Sequence, residues 1–508
     1  MSASAETPPE IKAALGLERE CAALPSTDLG NAERLVARHG RDLLYAPGIG
    51  WHYWDDRRWA TDRTGEVERR MVSTVRAIYR EAGGLEDDER RGKLGKWAHA
   101  SESEARLRAA VSLARHKVEV VVESERLDAD PWLLNVANGT LDLRTGELRD
   151  HRREDRLTKL APVTFEPDAE GAEWDAFLEH LTGGDPELGA FLQRAAGYTL
   201  TGDTSEERLF FCHGPAATGK TTYTEALKGM LGDYGSMTDF ETFLARRGDA
   251  GVRNDIARLV GSRLVLGVEV EEGRKLAEGL IKQLTGGDTI AARHLYRDFF
   301  EFTPQFKLWL AANHRPRVSS EDDAIWRRIL QVPFTEVVAP ADRDPELKKR
   351  LNSDAGRSAI LAWAVEGCLA WQRNGLGVPE RVSAYTEEYR QENDPLAEWL
   401  EDRCVREPSA FATSAELYKS YEEWAQDTGV RHPITSTALG KALASRGFEK
   451  ARDRSRRGWR GLVPGTSGDG SDGFEATFGK PPREPLRTQQ KQKTRHNPSP
   501  VTADGGVW

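Results

Sequence analysis

The run Gly214-Pro215-Ala216-Ala217-Thr218-Gly219-Lys220-Thr221-Thr222 satisfies every fixed position of G-x-x-x-x-G-K-[ST] and follows the apolar stretch Phe210-Phe211-Cys212. This spacing serves the holding of phosphate. Gly214 and Gly219 remove side chains where a polyanion must approach the backbone. Successive amides, and the N-terminus of a helix expected from Lys220 to Met230, supply donors and a positive dipole. Lys220 is positioned to reach the β- and γ-phosphates, and Thr221 to put its hydroxyl on Mg2+. The whole loop from Gly214 to Thr222 is therefore the candidate binding site of a nucleoside triphosphate, ATP, with Mg2+.

A magnesium ion and an attacking water both need oxygen acceptors beside the γ-phosphate. The apolar run Leu264-Val265-Leu266-Gly267-Val268 leads into Glu269, Glu271 and Glu272, three acids within four residues. Glu269 is the expected metal ligand, with Glu271 or Glu272 as alternative or as base, while at least one of the three decorates a solvated turn. A third apolar run, Phe306 to Ala312, stops at Asn313, which could orient the attacking water or be an ordinary turn residue before His314-Arg315-Pro316. Arg327 and Arg328 then sit in the apolar context Ile325-Trp326 and Ile329-Leu330. Either can act across a subunit boundary on a neighbour's nucleotide, or form a surface salt bridge.

Taken together, Gly261 to Glu269, Ile281 to Arg293, Phe300 to Pro316 and Ala324 to Arg328 resemble the superfamily 3 helicases, within them the phage, plasmid and poxvirus primase-helicase group. The resemblance implies an AAA+-like P-loop core, with Glu269 in the second acidic motif, Asn313 as the sensor asparagine, and Arg328 or Arg327 as the finger acting in trans. One departure is Val270, which separates Glu269 from Glu271-Glu272. The stretch Thr289 to Phe302 reads as a hairpin with a basic, aromatic tip. In the family such a hairpin projects into a ring's channel and grips single-stranded nucleic acid, which implicates Arg293, His294 and Arg297; a solvated hairpin is the plainer alternative. Farther on, Ala415 to Trp424 and Ser436 to Arg446 read as two helices of a winged helix-turn-helix, with Ser436 as the cap of the second. Between Arg446 and Arg460 stand seven basic residues against two acids. Lys441, Arg454, Arg456 and Arg457 are the candidate contacts to DNA there.

The elements that position these residues belong to a chain of 508 residues, 38% hydrophobic and 30% charged, enough for about three domains. Residues 1–39 form an N-terminal segment, 40–165 an α+β domain, 174–340 the α/β ATPase domain, 341–405 a helical extension, 408–464 the winged helix, and 465–508 a disordered tail poor in apolar residues. Within the α+β domain, Trp51 to Trp59 suggests a hairpin whose aromatics are either core or a stacking platform for bases. Helices are expected at Gly65 to Ala82 and Glu102 to Val122, and a small β-meander from Trp132 to Leu148. The apolar stretch Ser358 to Trp371 contains Glu366 and is too short to span a bilayer.

No basic n-region or apolar h-region opens the chain, so the cytoplasm is the expected location. Cys21, Cys212, Cys368 and Cys404 have neither disulfide nor zinc spacing and are expected to be reduced core residues. The net charge of -10 does not decide nucleic-acid binding, because recognition by charge is local. The combined reading is an ATP-dependent DNA helicase of a mobile-element replication system, assembled as a hexamer. It carries no stretch for a polymerase-type domain, so priming is expected from a separate primase. Two rivals remain: an ATP-switched origin-binding initiator, and a small-molecule phosphotransferase.

Overall fold

The computed structural model describes residues 9–245, 254–268, 274–293, 299–318, 323–428, 433–453 and 456–465. Six of the candidate site residues, Glu269, Glu271, Glu272, His294, Arg297 and Arg454, lie outside the described residues, as does the tail beyond 465.

In the N-terminal region, helices Pro9–Ala22, Asp28–His39, Glu66–Gly83, Asp88–Ser101 and Glu104–Ala114 surround a three-stranded antiparallel sheet of Leu43–Ala46, Gly50–Trp54 and Trp59–Thr61. Ala32 and Leu35 share one core with Leu43, Val67, Met71 and Val75, so the segment before residue 40 is part of the same folded unit as the α+β domain. Arg34 and Glu81 seal that core with a fully buried ion pair at 2.9 Å. The Glu66–Gly83 helix agrees with the sequence reading. The helix expected from Glu102 to Val122 is Glu104–Ala114 and stops short of Val122, because the β-branched run after it is drawn into strand pairing: Tyr45 N donates to Val120 O, and Val122 N to Tyr45 O. Trp54 and Trp59 close the hairpin as a buried edge-to-face pair, ring centres 5.8 Å apart, so these two aromatics are core. The meander is Leu133–Val136, Gly139–Asp142 and Glu147–Arg149.

The centre of the chain is a five-stranded, all-parallel sheet. Its strands are β1 (Leu209–His213), β2 (Gly235–Asp239), β3 (Leu264–Val268), β4 (Lys307–Ala312) and β5 (Ile329–Pro333), in spatial order β5-β1-β4-β3-β2. Helices cover both faces, so β4 and β5 are buried along their whole length and read as near-continuous apolar runs. The covering helices include α1 (Ala172–Thr182), α2 (Pro186–Leu200), α3 (Lys220–Leu231), α4 (Glu278–Thr285), α5 (Asp354–Asn374) and α6 (Glu380–Glu392). Within the expected helical extension α6 does not run on: Asp394 caps a new helix, Pro395–Arg403, by accepting from Leu396 N and Ala397 N at 3.2 and 3.1 Å. A proline that lacks an amide hydrogen starts a helix there more readily than it continues one.

Pro395–Arg403 packs Leu396, Trp399 and Leu400 against Leu417, Tyr421, Trp424, Leu439 and Leu443. It therefore belongs with the C-terminal unit of helices Ser414–Asp427 and Ser436–Ser445 and the sheet Phe411–Thr413, Arg456–Arg460, Glu449–Asp453, and not with the helical extension. The cap of the second helix is Thr435, whose hydroxyl accepts from Ala438 N at 3.3 Å; Ser436 is already helical. No helix among the described residues is long and apolar enough to cross a membrane.

Helices α2 and α5 cross at contact distance because both carry glycine at the crossing. A Cβ on Gly197 would lie 2.0 Å from Cys368 N, and one on Gly367 would lie 2.0 Å from Gln193 O. Backbone atoms cannot yield as a flexible side chain can. Gly367→Ala should thus destabilise the protein by about 1–3 kcal/mol despite the better helix propensity of alanine. An unchanged midpoint of urea unfolding would show that the two helices can separate at no cost.

Candidate functional site

β1 lies between β5 and β4, so the loop leaving its C-terminal end opens where the order of connections across the sheet reverses, the usual ligand crevice of an open α/β sheet. Gly214 has φ +154°, and a Cβ there would meet Phe334 O at 1.8 Å. Ala217 and Gly219 also take positive φ, +62° and +85°, which turns the loop back onto the start of α3. Gly219 packs against the Phe177 ring of α1, with only 3.1 Å left for a Cβ.

Lys220 opens α3 and folds its ammonium into the loop. Its Nζ donates to Gly214 O at 2.8 Å, Pro215 O at 2.5 Å and Thr218 Oγ1 at 3.2 Å. Thr218 Oγ1 donates in turn to Pro215 O at 3.1 Å. Lys220 is 7% exposed, and burial lowers its pKa from the ordinary lysine value. Pro215, Ala216 and Ala217 are exposed, while Thr221 and Thr222 are half-buried at the helix start. A buried ammonium paired only with neutral oxygens, at the N-terminus of a twelve-residue helix, is short of negative charge. The residues present fit a polyphosphate.

Asn313 is exposed and follows β4 directly; the register Ala312 to His213 brings it beside Gly214. Val268, the last described residue of β3, pairs with Ala311, so that strand ends at the same edge of the sheet. His213 precedes the loop and shares a 2.7 Å hydrogen bond between its Nδ1 and Tyr385 Oη on α6. Burial, with Arg315 and Lys220 nearby, pushes its pKa down to about 4.

Arg327 and Arg328 lie at the other end of the sheet, immediately before β5. About 13 Å of strand separates the two ends at ~3.3 Å per residue, and both guanidiniums turn to Glu207, which precedes β1, and not to the loop that follows it. Arg328 is 7% exposed and held by Glu207 at 2.8 Å and by Ala324 O at 2.8 Å. The Arg327 side chain is 65% exposed and touches Glu207 at 3.4 Å. Sequence reading put Arg328 before Arg327 as the arginine acting in trans, whereas Arg327 is the exposed one; it named Glu207 not at all, since an acid in Thr204-Ser205-Glu206-Glu207 carries no motif signal.

The hairpin of Ile290–Arg293 and Phe299–Phe302 is antiparallel, with Arg293 opposite Phe299 at the last described pair. In the C-terminal unit Lys441, Arg456 and Arg457 are exposed, and Arg456 pairs with Asp453 at 3.4 Å. Trp459 is buried and donates from Nε1 to Ser414 Oγ, so it is core and not a contact surface.

Fold and site define a parallel-sheet α/β protein built around a G-x-x-x-x-G-K-[ST] loop. Family profiles match it in three stretches: "D5 N terminal like" over 32–183, "Family of unknown function (DUF5906)" over 212–328, and "Poxvirus D5 protein-like" over 391–461. "Putative helicase L207/L206" of Acanthamoeba polyphaga mimivirus is 28% identical over 320 residues, 59% of this chain and 33% of that protein. "Putative helicase 022R" of Frog virus 3 (isolate Goorha) is 26% identical over 381 residues, 59% and 39% of the two chains. A "Putative primase" of African swine fever virus (isolate Tick/Malawi/Lil 20-1/1983) is 24% identical over 324 residues, 59% and 34%. The chain thus spans roughly a third of the length of these curated relatives. Profiles of D5-like proteins thus match both ends of the chain, and the relatives it resembles carry helicase or primase names. Among solved structures, an apo form of the NrS-1 C-terminal region aligns with 87% of this chain and 100% of that one at 11% identity and a TM-score of 0.48, a likeness on which nothing further rests.

The position of His213 generates a pH dependence. Its imidazole titrates near 6.5 when unfolded and near 4 when folded, so between these values the unfolded chain binds more protons. The stability contributed by neutral His213 is complete above the unfolded value and is lost as pH falls towards the folded one. Urea midpoints measured from pH 7 to pH 4 should fall less for His213→Gln than for the wild type; parallel curves would remove His213 from the account.

Proposed function

We propose that this chain is the ATP-hydrolysing motor of a replicative primase-helicase: a ring-forming DNA helicase serving a phage, plasmid or integrated mobile element. The observation that carries the reading is the division of chemistry across the sheet. One edge presents the loop with its buried Lys220 and, beside it, Asn313; the other presents the exposed Arg327. A single copy therefore carries two halves of a phosphoryl-transfer site that cannot meet within that copy. Successive copies in a closed ring, a hexamer in this reading, would bring them together.

In this reading the amides of 214–222 and Lys220 hold the β- and γ-phosphates of ATP, Thr221 and Glu269 hold Mg2+, and Asn313 orients the attacking water. Mg2+ supplies charge neutralisation on the phosphate oxygens. Glu271 and Glu272 are the alternative acids. Arg327, or Arg328 if freed from Glu207, faces the neighbour's γ-phosphate. Arg293, His294 and Arg297 grip one DNA strand through its phosphates, a contact blind to sequence. Opening each base-pair step costs about 1.4 kcal/mol of stacking on average, so continued opening requires nucleotide turnover.

The C-terminal unit supports a DNA-binding winged helix. Its order, helix Pro395–Arg403, strand Phe411–Thr413, helices Ser414–Asp427 and Ser436–Ser445, then the hairpin of Glu449–Asp453 and Arg456–Arg460, matches that architecture. Lys441 lies on the exposed face of the second of the two consecutive helices, and Arg456 and Arg457 on the hairpin. The same unit favours a second reading, an ATP-switched origin-binding initiator.

Strand displacement on a forked DNA duplex with ATP and Mg2+ separates the two. The wild type should unwind the fork, while Lys220→Ala should lose displacement and hydrolysis yet still hold DNA through its C-terminal unit. Wild-type protein that binds the fork but never separates strands, with hydrolysis indifferent to DNA, would establish the initiator instead.

A further inference from the structure

Glu207 has no place in the loop motif, yet the backbone bends to present it. Its φ is +52°, a left-handed conformation that a side chain with a Cβ adopts only where surrounding structure enforces it. What the bend achieves is a double contact: Oε2 lies 2.8 Å from Arg328 Nη2 and 3.4 Å from Arg327 Nη2. The adjacent Arg208 donates to the backbone carbonyl of Arg327, so residues 207 and 208 grip the pair by side chain and by main chain.

The two arginines are not held alike. Arg328 is buried, carries a second hydrogen bond to Ala324 O, and lies close to Gly286 at the end of α4. Arg327 keeps only the longer contact and lines an open cleft of about 410 Å³ with Arg208, Asp323, Trp326, Glu387 and Arg390, the last of which is paired with Asp323. An exposed ion pair of this kind is weak, and a phosphate that offers bidentate acceptors displaces it.

We propose that Glu207 is a positioning residue, which anchors Arg328 permanently and holds Arg327 aimed at the cleft until the triphosphate bound by an adjacent copy of this chain takes the guanidinium from it. This inference rests on the reading of a site shared between copies, and it names the cleft as the surface that receives the neighbour. Arg328 then serves as the fixed post of the segment and Arg327 as its working end.

The test uses steady-state ATP hydrolysis by the full chain. Glu207→Gln should lower kcat by roughly tenfold to a hundredfold, as a small misplacement of a reacting group does, with KM near wild type because the loop of the same copy is untouched. Mixing Glu207→Gln with Lys220→Ala should restore rate above that of either alone, since a Lys220→Ala copy still offers an intact Glu207 and Arg327 to its neighbour. Mixing Glu207→Gln with Arg327→Ala should restore nothing, because both lesions sit on the same side of the contact. If Arg327→Ala is not complemented by Lys220→Ala, the shared site itself is wrong. If it is complemented but Glu207→Gln keeps full kcat or responds differently, only the role of Glu207 falls. Thermal melting checks the fold; should Glu207→Gln melt early, Glu207→Asp, which keeps the charge on a shorter arm, is measured in its place with the same expectations.

Discussion

Two buried cations, Arg263 and Lys307, tie the parallel sheet to everything around it. Arg263 opens β3 and donates to Leu200 O at 2.6 Å and Leu133 O at 2.7 Å, with its guanidinium over the Tyr234 ring. Lys307 opens β4 and donates to Thr201 O and Asp203 O at 2.6 and 2.9 Å, while its ammonium lies over Tyr198. Neither of these contacts is to a carboxylate. The oxygens come from the C-terminal end of α2 and the turn after it, where helix carbonyls are unsatisfied and the dipole is negative, and from the meander. Burial lowers the pKa of both groups, that of Lys307 well below the lysine range. Removing the acceptors would leave an uncompensated charge in the core, so α2, the meander strand Leu133–Val136 and the sheet have to stay in register with one another.

That anchoring fixes the N-terminal edge of the sheet, and parallel strands do the rest. Because all five run the same way, every loop leaving a C-terminal end meets at one edge, and every entry meets at the other. The phosphate loop and Asn313 gather at the first edge and the arginine pair at the second, as a consequence of topology and not of proximity in sequence. The cation clamp lies at the same edge as the arginines: Leu209 N donates to Arg328 O, and Asp203, whose carbonyl receives Lys307, is four residues before Glu207.

Helix α6 connects the first edge to the C-terminal unit. Tyr385 meets His213, Tyr389 donates to Pro316 O, and Arg315 lies over both rings while pairing with Glu392 at 2.5 Å and Glu388 at 3.2 Å. Thr386 Oγ1 receives Gln331 N from β5. One helix thus touches the end of β1, the segment after Asn313 and the middle of β5. Its last turn leads to Asp394, which both caps the next helix and accepts two bonds from Arg446.

The sequence alone determined the loop, its strand and its helix, because glycines at fixed spacing and a continuous apolar run answer to local sterics and to burial on both sheet faces. The same local rules made the aromatic hairpin, the meander and the helix Glu66–Gly83 legible. Boundaries failed where distant contacts intervene: Val120 and Val122 leave a helix to pair with Tyr45, and Pro395–Arg403 joins a core built from residues beyond 410. Which of two adjacent arginines is exposed, the role of Glu207 and the pairing of Arg315 with α6 were decided only in three dimensions. Each depends on side chains brought together across 73 to 120 residues of chain, a separation over which no local pattern constrains an acid to find its cation.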